Sequence, residues 1–201
     1  MKQFLLTSLT LLFFNVKSIA QFTLQSPGFT QATAIASISA VDENIVWLAG
    51  RDTNQNIAGN RFARSINGGS NWSQFVITGF STYTPSNICA INKDTAWVAM
   101  YNSTGGGGIF RTNNGGANWT HQTTASFTNG FPNFVHFFNA NNGVAMGDPN
   151  GGYFEIYTTT NGGTTWNRIP QGSVPSNKNQ EYGLVDIYQT KGNTIYFITN
   201  I

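Results

Sequence analysis

Three acidic side chains set beside arginine, glycine or aromatic residues are the positions in this 201-residue chain with most capacity for chemistry. Asp52 follows Arg51, Asp148 lies in the run Gly147-Asp148-Pro149-Asn150-Gly151-Gly152, and Glu181 precedes Tyr182. Two carboxyl groups on either side of a cleft could cleave a glycosidic bond, one as acid and the other as base or nucleophile. Loop acids also cap turns, and Asp148 before Pro149 reads as a turn initiator. Cys89 is the single cysteine, so no intrachain disulfide can form, and its place in an apolar strand suits a small buried hydrophobe. His136 stands 47 residues further on and reads as a packed strand histidine. No residues show zinc- or calcium-ligand spacing, so neither a metal nor a cofactor is expected.

What must position these residues is a repeat. The segments SINGGSNW (Ser65 to Trp72), TNNGGANW (Thr112 to Trp119) and TTNGGTTW (Thr159 to Trp166) place Trp72, Trp119 and Trp166 at a constant interval of 47. A fixed period of this length calls for an array of supersecondary units. Each segment reads as a hairpin turn. The pairs Asn67-Gly68, Asn114-Gly115 and Asn161-Gly162 suit central residues with positive φ, and Gly69, Gly116 and Gly163 extend the permissive stretch. The hydroxyls of Ser65, Thr112 and Thr159 and the amide oxygens of Asn67, Asn114 and Asn161 can accept hydrogen bonds from turn N–H groups. The closing tryptophan then begins the returning strand and packs on a neighbouring sheet.

These three segments resemble the Asp-box, or bacterial neuraminidase repeat, with the pattern Ser/Thr-x-Asp-x-Gly-x-Thr-Trp. That box is found in β-propellers of sialidases, xyloglucan-cleaving glycosidases, sortilin-type receptors and photosystem II assembly factors. Here Asn replaces Asp in all three copies, Ala117 departs at one position, and Asn71 and Asn118 stand at the penultimate one. The acceptor is kept and the charge is lost. The resemblance implies an architectural role, because in those families the box lies at the outer end of each blade, away from the ligand face.

The register extends beyond the boxes. Pro85 matches Pro132, Ile88 Val135, Asn92 Asn139, Trp97 Val144, Ile109 Ile156 and Phe110 Tyr157, each at an interval of 47. Each unit reads as four strands, the pattern of a propeller blade. The expected fold is therefore all-β, a β-propeller of four-stranded blades with Asp-box hairpins. About three and a half blades are present, near residues 35–78, 85–125 and 132–171, with a half blade at 183–201. The first unit carries a loop three residues longer, since Trp47 to Ser65 spans 18 residues where Trp97 to Thr112 spans 15. Such an array leaves blade edges open, so the expectation is a fragment of a larger propeller, with further blades in the full-length chain. A four-bladed ring in which Phe22 to Leu24 lends a strand is the alternative.

Residues 1–20 read as a secretory signal peptide. Lys2, the apolar run Phe4 to Phe14 and the small-residue site Ser18-Ile19-Ala20 place cleavage before Gln21, and the run is too short to span a bilayer. No cysteine stands at the cleavage site for a lipid anchor. Charged residues are 9% of the chain, and removal of Lys2 and Lys17 leaves equal numbers of basic and acidic side chains. That balance excludes a basic stripe for nucleic acid and a polybasic membrane patch. The protein is expected to be exported, either extracellular or at the cell surface.

Binding is expected on the face opposite the boxes, on loops held by a rigid scaffold. Arg51, Tyr83, Phe131 and Tyr182 are its candidate ligand contacts, and Asp52, Asp148 and Glu181 its candidate acids. Asn167-Arg168-Ile169-Pro170 resembles the Phe-Arg-Ile-Pro motif of sialidases, but Arg168 follows a box rather than preceding the first one. The segment Gly147 to Trp166 resembles photosystem assembly factor-like and surface-repeat proteins exported by type IX secretion, in which a sorting domain usually follows the propeller. The expected function is a non-catalytic module binding a glycan or protein partner through its loop face. A sialidase-like or xyloglucanase-like glycoside hydrolase is the alternative.

Overall fold

A computed structural model describes residues 23–30, 32–53 and 59–201, so the signal peptide expected at 1–20 lies outside the described residues. Alternation of apolar and polar residues, punctuated by Asn and Gly, produces three four-stranded antiparallel sheets and a two-stranded one. Blade one comprises β1 (Thr33–Ala40), β2 (Val46–Asp52), β3 (Asn60–Ser65) and β4 (Ser73–Phe75). Blade two comprises β5 (Tyr83–Ala90), β6 (Ala96–Asn102), β7 (Gly107–Thr112) and β8 (Thr120–His121). Blade three comprises β9 (Pro132–Phe137), β10 (Gly143–Pro149), β11 (Phe154–Thr159) and β12 (Asn167–Arg168). A final hairpin pairs β13 (Tyr182–Lys191) with β14 (Thr194–Asn200).

Each box turn is pinned alike. Thr112 Oγ1 accepts from the Gly116 amide at 3.0 Å and donates to Asn114 Oδ1 at 3.1 Å, while Asn114 Oδ1 accepts from the Asn118 amide at 2.9 Å. The same bonds recur around Ser65 and Asn67 and around Thr159 and Asn161. Positive φ falls on the two glycines of each box, at 65° and 86° for Gly68 and Gly69. The asparagines are not in that region, contrary to the sequence expectation, because their side chains are occupied as acceptors within the turn. The first glycine also donates to the inner turn of its own blade, as from Gly115 N to Asp94 O at 2.9 Å. That inner turn is held by Asn92 Oδ1, which accepts from the amides of Asp94 and Thr95.

Three apolar cores lie between successive blades. Trp47, Phe62, Ile88, Val98 and Phe110 join blades one and two; Trp97, Ile109, Phe127, Val135 and Trp166 join blades two and three. Phe134, Met146 and Phe154 receive Tyr188, Ile195 and Phe197 of the last hairpin. Trp119 and Trp166 join these seams as the packing argument requires, while Trp72 belongs to none of the three cores among the described residues. Trp119 of blade two lies edge-on to Trp47 at 6.4 Å and against Phe62 at 5.2 Å, both in blade one.

Inner strands are stitched by side chains that accept neighbouring backbone amides. Ser39 Oγ accepts from Ala90 N at 2.9 Å, and Cys89 Sγ, one blade on, accepts from Phe137 N at 3.3 Å. His136, the next residue in that register, sits 3.3 Å from the Tyr188 hydroxyl through Nδ1. Cys89 is buried and burial pushes its thiol up to about 11, so it remains a protonated packing residue.

Candidate functional site

The loop face lies at the strand ends remote from the boxes. There a cleft of about 360 Å³ opens between the inner strands of all three blades and the last hairpin. Ile35, Ala36 and Arg51 line it from blade one, Pro85 and Tyr101 from blade two, Phe131 from the loop before β9, and Val185 from β13. Tyr101 and Phe131 stack with ring centroids 4.0 Å apart and planes 30° from parallel. Their faces make an apolar platform. Arg51 is exposed, and among the described residues it has no ion-pair partner. The site therefore presents aromatic area and one positive charge.

The three candidate acids are engaged elsewhere. Asp52 Oδ2 pairs with Arg61 Nη2 at 2.6 Å, and its side chain is only 3% exposed. Asp148 Oδ1 accepts from the Gly183 amide at 2.9 Å, latching blade three to β13 rather than initiating its own turn. Burial raises its pKa, and the hydrogen bonds from Gly183 and Asn133 oppose that rise. Glu181 accepts from Lys178 N at 2.7 Å and Thr199 Oγ1 at 2.6 Å, and these bonds hold its carboxyl below the ordinary range. None of the three lines the cleft.

The four candidate contacts divide. Arg51 and Phe131 line the cleft, whereas Tyr83 packs edge-on to Phe80 at 5.2 Å and to Phe110 at 5.9 Å in the seam of blades one and two. Tyr182 opens β13, where its hydroxyl accepts from Asn200 Nδ2 at 2.6 Å. Tyr101, absent from the sequence candidates, is the missing half of the aromatic platform. Its place at the end of β6, after the apolar run Ala96 to Met100, was the available signal.

Two further polar groups escaped sequence reasoning. Glu155 on β11 is buried, with Tyr157 Oη donating to its Oε1 at 3.2 Å and Arg168 Nη1 3.7 Å away. Desolvation raises the Glu155 pKa despite Arg168, and burial with the nearby carboxylate pushes Tyr157 up to about 12. Burial and the neighbouring carboxylate thus keep the Tyr157 phenol protonated at neutral pH. Asp186 lies in a bulge of β13 at φ 56°, where its Oδ1 accepts from Asn87 Nδ2 at 2.7 Å and Ser37 adds a side-chain hydrogen bond. It thus ties the hairpin to blades one and two.

Against known proteins, the fold is that of a β-propeller. One similar solved structure, YCF48 bound to a D1 peptide, aligns with a TM-score of 0.53 and 16% identity over 76% of this chain. Another, the GH74 enzyme of Niastella koreensis, aligns with a TM-score of 0.59 and 17% identity over 82% of this chain. This chain spans 47% of the first structure and 26% of the second. No protein-family profile matches the sequence, and no curated protein matches it. Among the described residues no helix is long and apolar enough to cross a membrane.

Proposed function

We propose that this chain is part of an exported or cell-surface β-propeller that binds a segment of a partner protein in its loop-face cleft, without catalysis. The observation that carries this reading is the cleft itself, where Tyr101 stacks on Phe131 beside Arg51 while all three candidate acids hold structural bonds elsewhere. Aromatic platforms with an arginine are the residue types that dominate binding at protein interfaces. The peptide held by YCF48 supports a protein segment over a glycan as the ligand class. Export would follow from the leader expected at residues 1–20, with further blades and a type IX sorting domain in the full-length protein.

The test is a peptide-array screen of the full-length protein, followed by titration of one bound peptide. Phe131→Ala or Tyr101→Ala should weaken binding by tenfold or more, whereas Asp52→Asn, Asp148→Asn and Glu181→Gln should each stay within tenfold, because none of the three lines the cleft. The GH74 likeness makes hydrolysis the second reading. Turnover of sialosides or β-glucans that Asp148→Asn abolishes would establish it and overturn the first.

A further inference from the structure

Asparagine followed by glycine is a pair prone to spontaneous deamidation, because no glycine side chain keeps the next backbone nitrogen from the asparagine carboxamide. The chain has six such pairs, beginning at Asn67, Asn114, Asn129, Asn142, Asn150 and Asn161. The reaction needs two freedoms. The carboxamide carbon must swing onto the glycine nitrogen, and that N–H must be able to lose its proton.

At the boxes the fold removes both. Gly68, Gly115 and Gly162 donate their amides to Asn44 O, Asp94 O and Asn141 O at 3.0, 2.9 and 2.9 Å. The Oδ1 atoms of Asn67, Asn114 and Asn161 each accept from the amide four residues on at 2.9 Å, and each also accepts from its box hydroxyl. Asn142 is followed by Gly143 of β10, which is laddered between Phe137 and Thr159. Asn150 is pinned on both sides, its N–H donating to Tyr153 O at 2.9 Å and its carbonyl accepting from Arg168 Nη2 at 2.6 Å.

Asn129 differs from all five. It is exposed in the bend before β9, and among the described residues neither its carboxamide nor the Gly130 amide makes a hydrogen bond. The bend is nevertheless fastened at each end: Phe127 O accepts from Gly107 N at 2.9 Å, and Phe131 O accepts from Asp148 N at 3.0 Å. Between these anchors Gly130 is buried so closely on Glu155 that a Cβ would collide with Oε2.

We propose that Asn129 is a site of spontaneous covalent modification that ages the wall of the cleft. The Gly130 nitrogen attacks Asn129 Cγ, and its proton leaves with the carboxamide nitrogen as ammonia. Water then opens the succinimide to aspartate or isoaspartate. Isoaspartate routes the main chain through the side-chain carbon, adding one atom between the two anchors. Gly130 has no room to absorb it against Glu155, so Phe131 is pushed off Tyr101 and the aromatic platform is lost. Loss of a ligand with age rests on peptide binding in the cleft; the chemistry and the displaced wall do not.

The experiment incubates the mature full-length protein at mildly alkaline pH, folded and in urea, with peptide mass mapping and enzymatic isoaspartate methylation. In the folded protein the Asn129 peptide should convert at least tenfold faster than those of Asn67, Asn114 and Asn161, and in urea the four should convert at similar rates. Ageing should speed amide exchange at Asp148 at least tenfold in the wild type and leave it unchanged in Asn129→Ser. Conversion of Asn129 no faster than that of the boxes in the folded protein overturns the proposal, as does the same excess at Asn129 in urea, which would place the difference in the sequence and not the fold. Conversion with Asp148 exchange unmoved overturns the effect on the cleft. Neither readout uses a ligand, so their failure is distinct from failure of the peptide screen.

Discussion

At the scale of single residues, the box is a device for satisfying backbone donors without charge. Thr112 Oγ1 and Asn114 Oδ1 together accept the turn amides of Asn114, Gly116 and Asn118. Thr112→Val keeps the shape and leaves the buried Gly116 donor unpaired, so it should cost about 1–3 kcal/mol by denaturant titration. Asn114→Asp keeps the acceptor and should be near neutral in the same assay. Asp186 offers a sharper test. Burial raises its folded pKa above the unfolded value, so its folded form favours the proton, and stability falls as pH rises through that folded pKa. Asp186→Asn retains an acceptor for Asn87 and tolerates the positive φ. Its unfolding midpoint should therefore exceed the wild type at pH 7 and converge on it towards pH 3. The box was legible in the sequence because its residue types recur at one interval. Glu155 and Asp186 were not, since Glu155 shares its register position with Gly108, and a bulge rather than any pattern brings Asp186 to the axis.

At the scale of elements, what holds blades together is the aromatic-rich core of each seam plus the inner-strand stitches. Trp166 is 4% exposed and hydrogen-bonded through its indole, and Trp119 is half-buried against Trp47 and Phe62. Both alanine variants should lose roughly 3–5 kcal/mol, with Trp166→Ala at the upper end. Trp72 is only partly buried, belongs to none of the three cores among the described residues, and should cost less. Denaturant midpoints of the three variants check that order. The pairing of Cys89 with His136 was visible in the sequence as a shared register position, and the stitching explains why two unlike side chains occupy it: Cys89 faces an inner strand and accepts its amide, while His136 meets Tyr188 of the last hairpin. Burial lowers the pKa of His136, so its share of stability is present above the unfolded value and is lost as pH falls through the folded one. Tyr83 shows where sequence reasoning fails: a loop-proximal aromatic looks the same whether it faces solvent or, as here, a seam.

At the scale of the whole molecule, the last hairpin is apolar on both faces. Tyr188, Ile195 and Phe197 pack on blade three, while Val185, Ile187, Tyr196 and Ile198 remain exposed on the other side. Exposed apolar sheet surface of this kind promotes self-association. The 201-residue chain should therefore oligomerise in light scattering, and Ile187→Lys with Ile198→Lys should restore a monomer while changing the unfolding free energy by about 0.5 kcal/mol or less per site. The succession of three four-stranded units and a hairpin among the described residues could be read from the sequence because period and turn chemistry agree. The cleft was legible only in part: Arg51 and Phe131 were expected on it, whereas Tyr101, at the register position of Arg51, and Val185 of the last hairpin were not.

The seams between blades also bear on how the chain gives way and how it forms. Each core is shared by two adjacent units, so the contacts between units join residues about one repeat apart, and the molecule behaves as a ladder whose rungs are the seams. Heat or force should open the β13–β14 end before the middle, except that Asp186 bolts that hairpin to Asn87 and Ser37 two and three units away. One side chain bonded across distant units thus makes a sequential unravelling more nearly concerted.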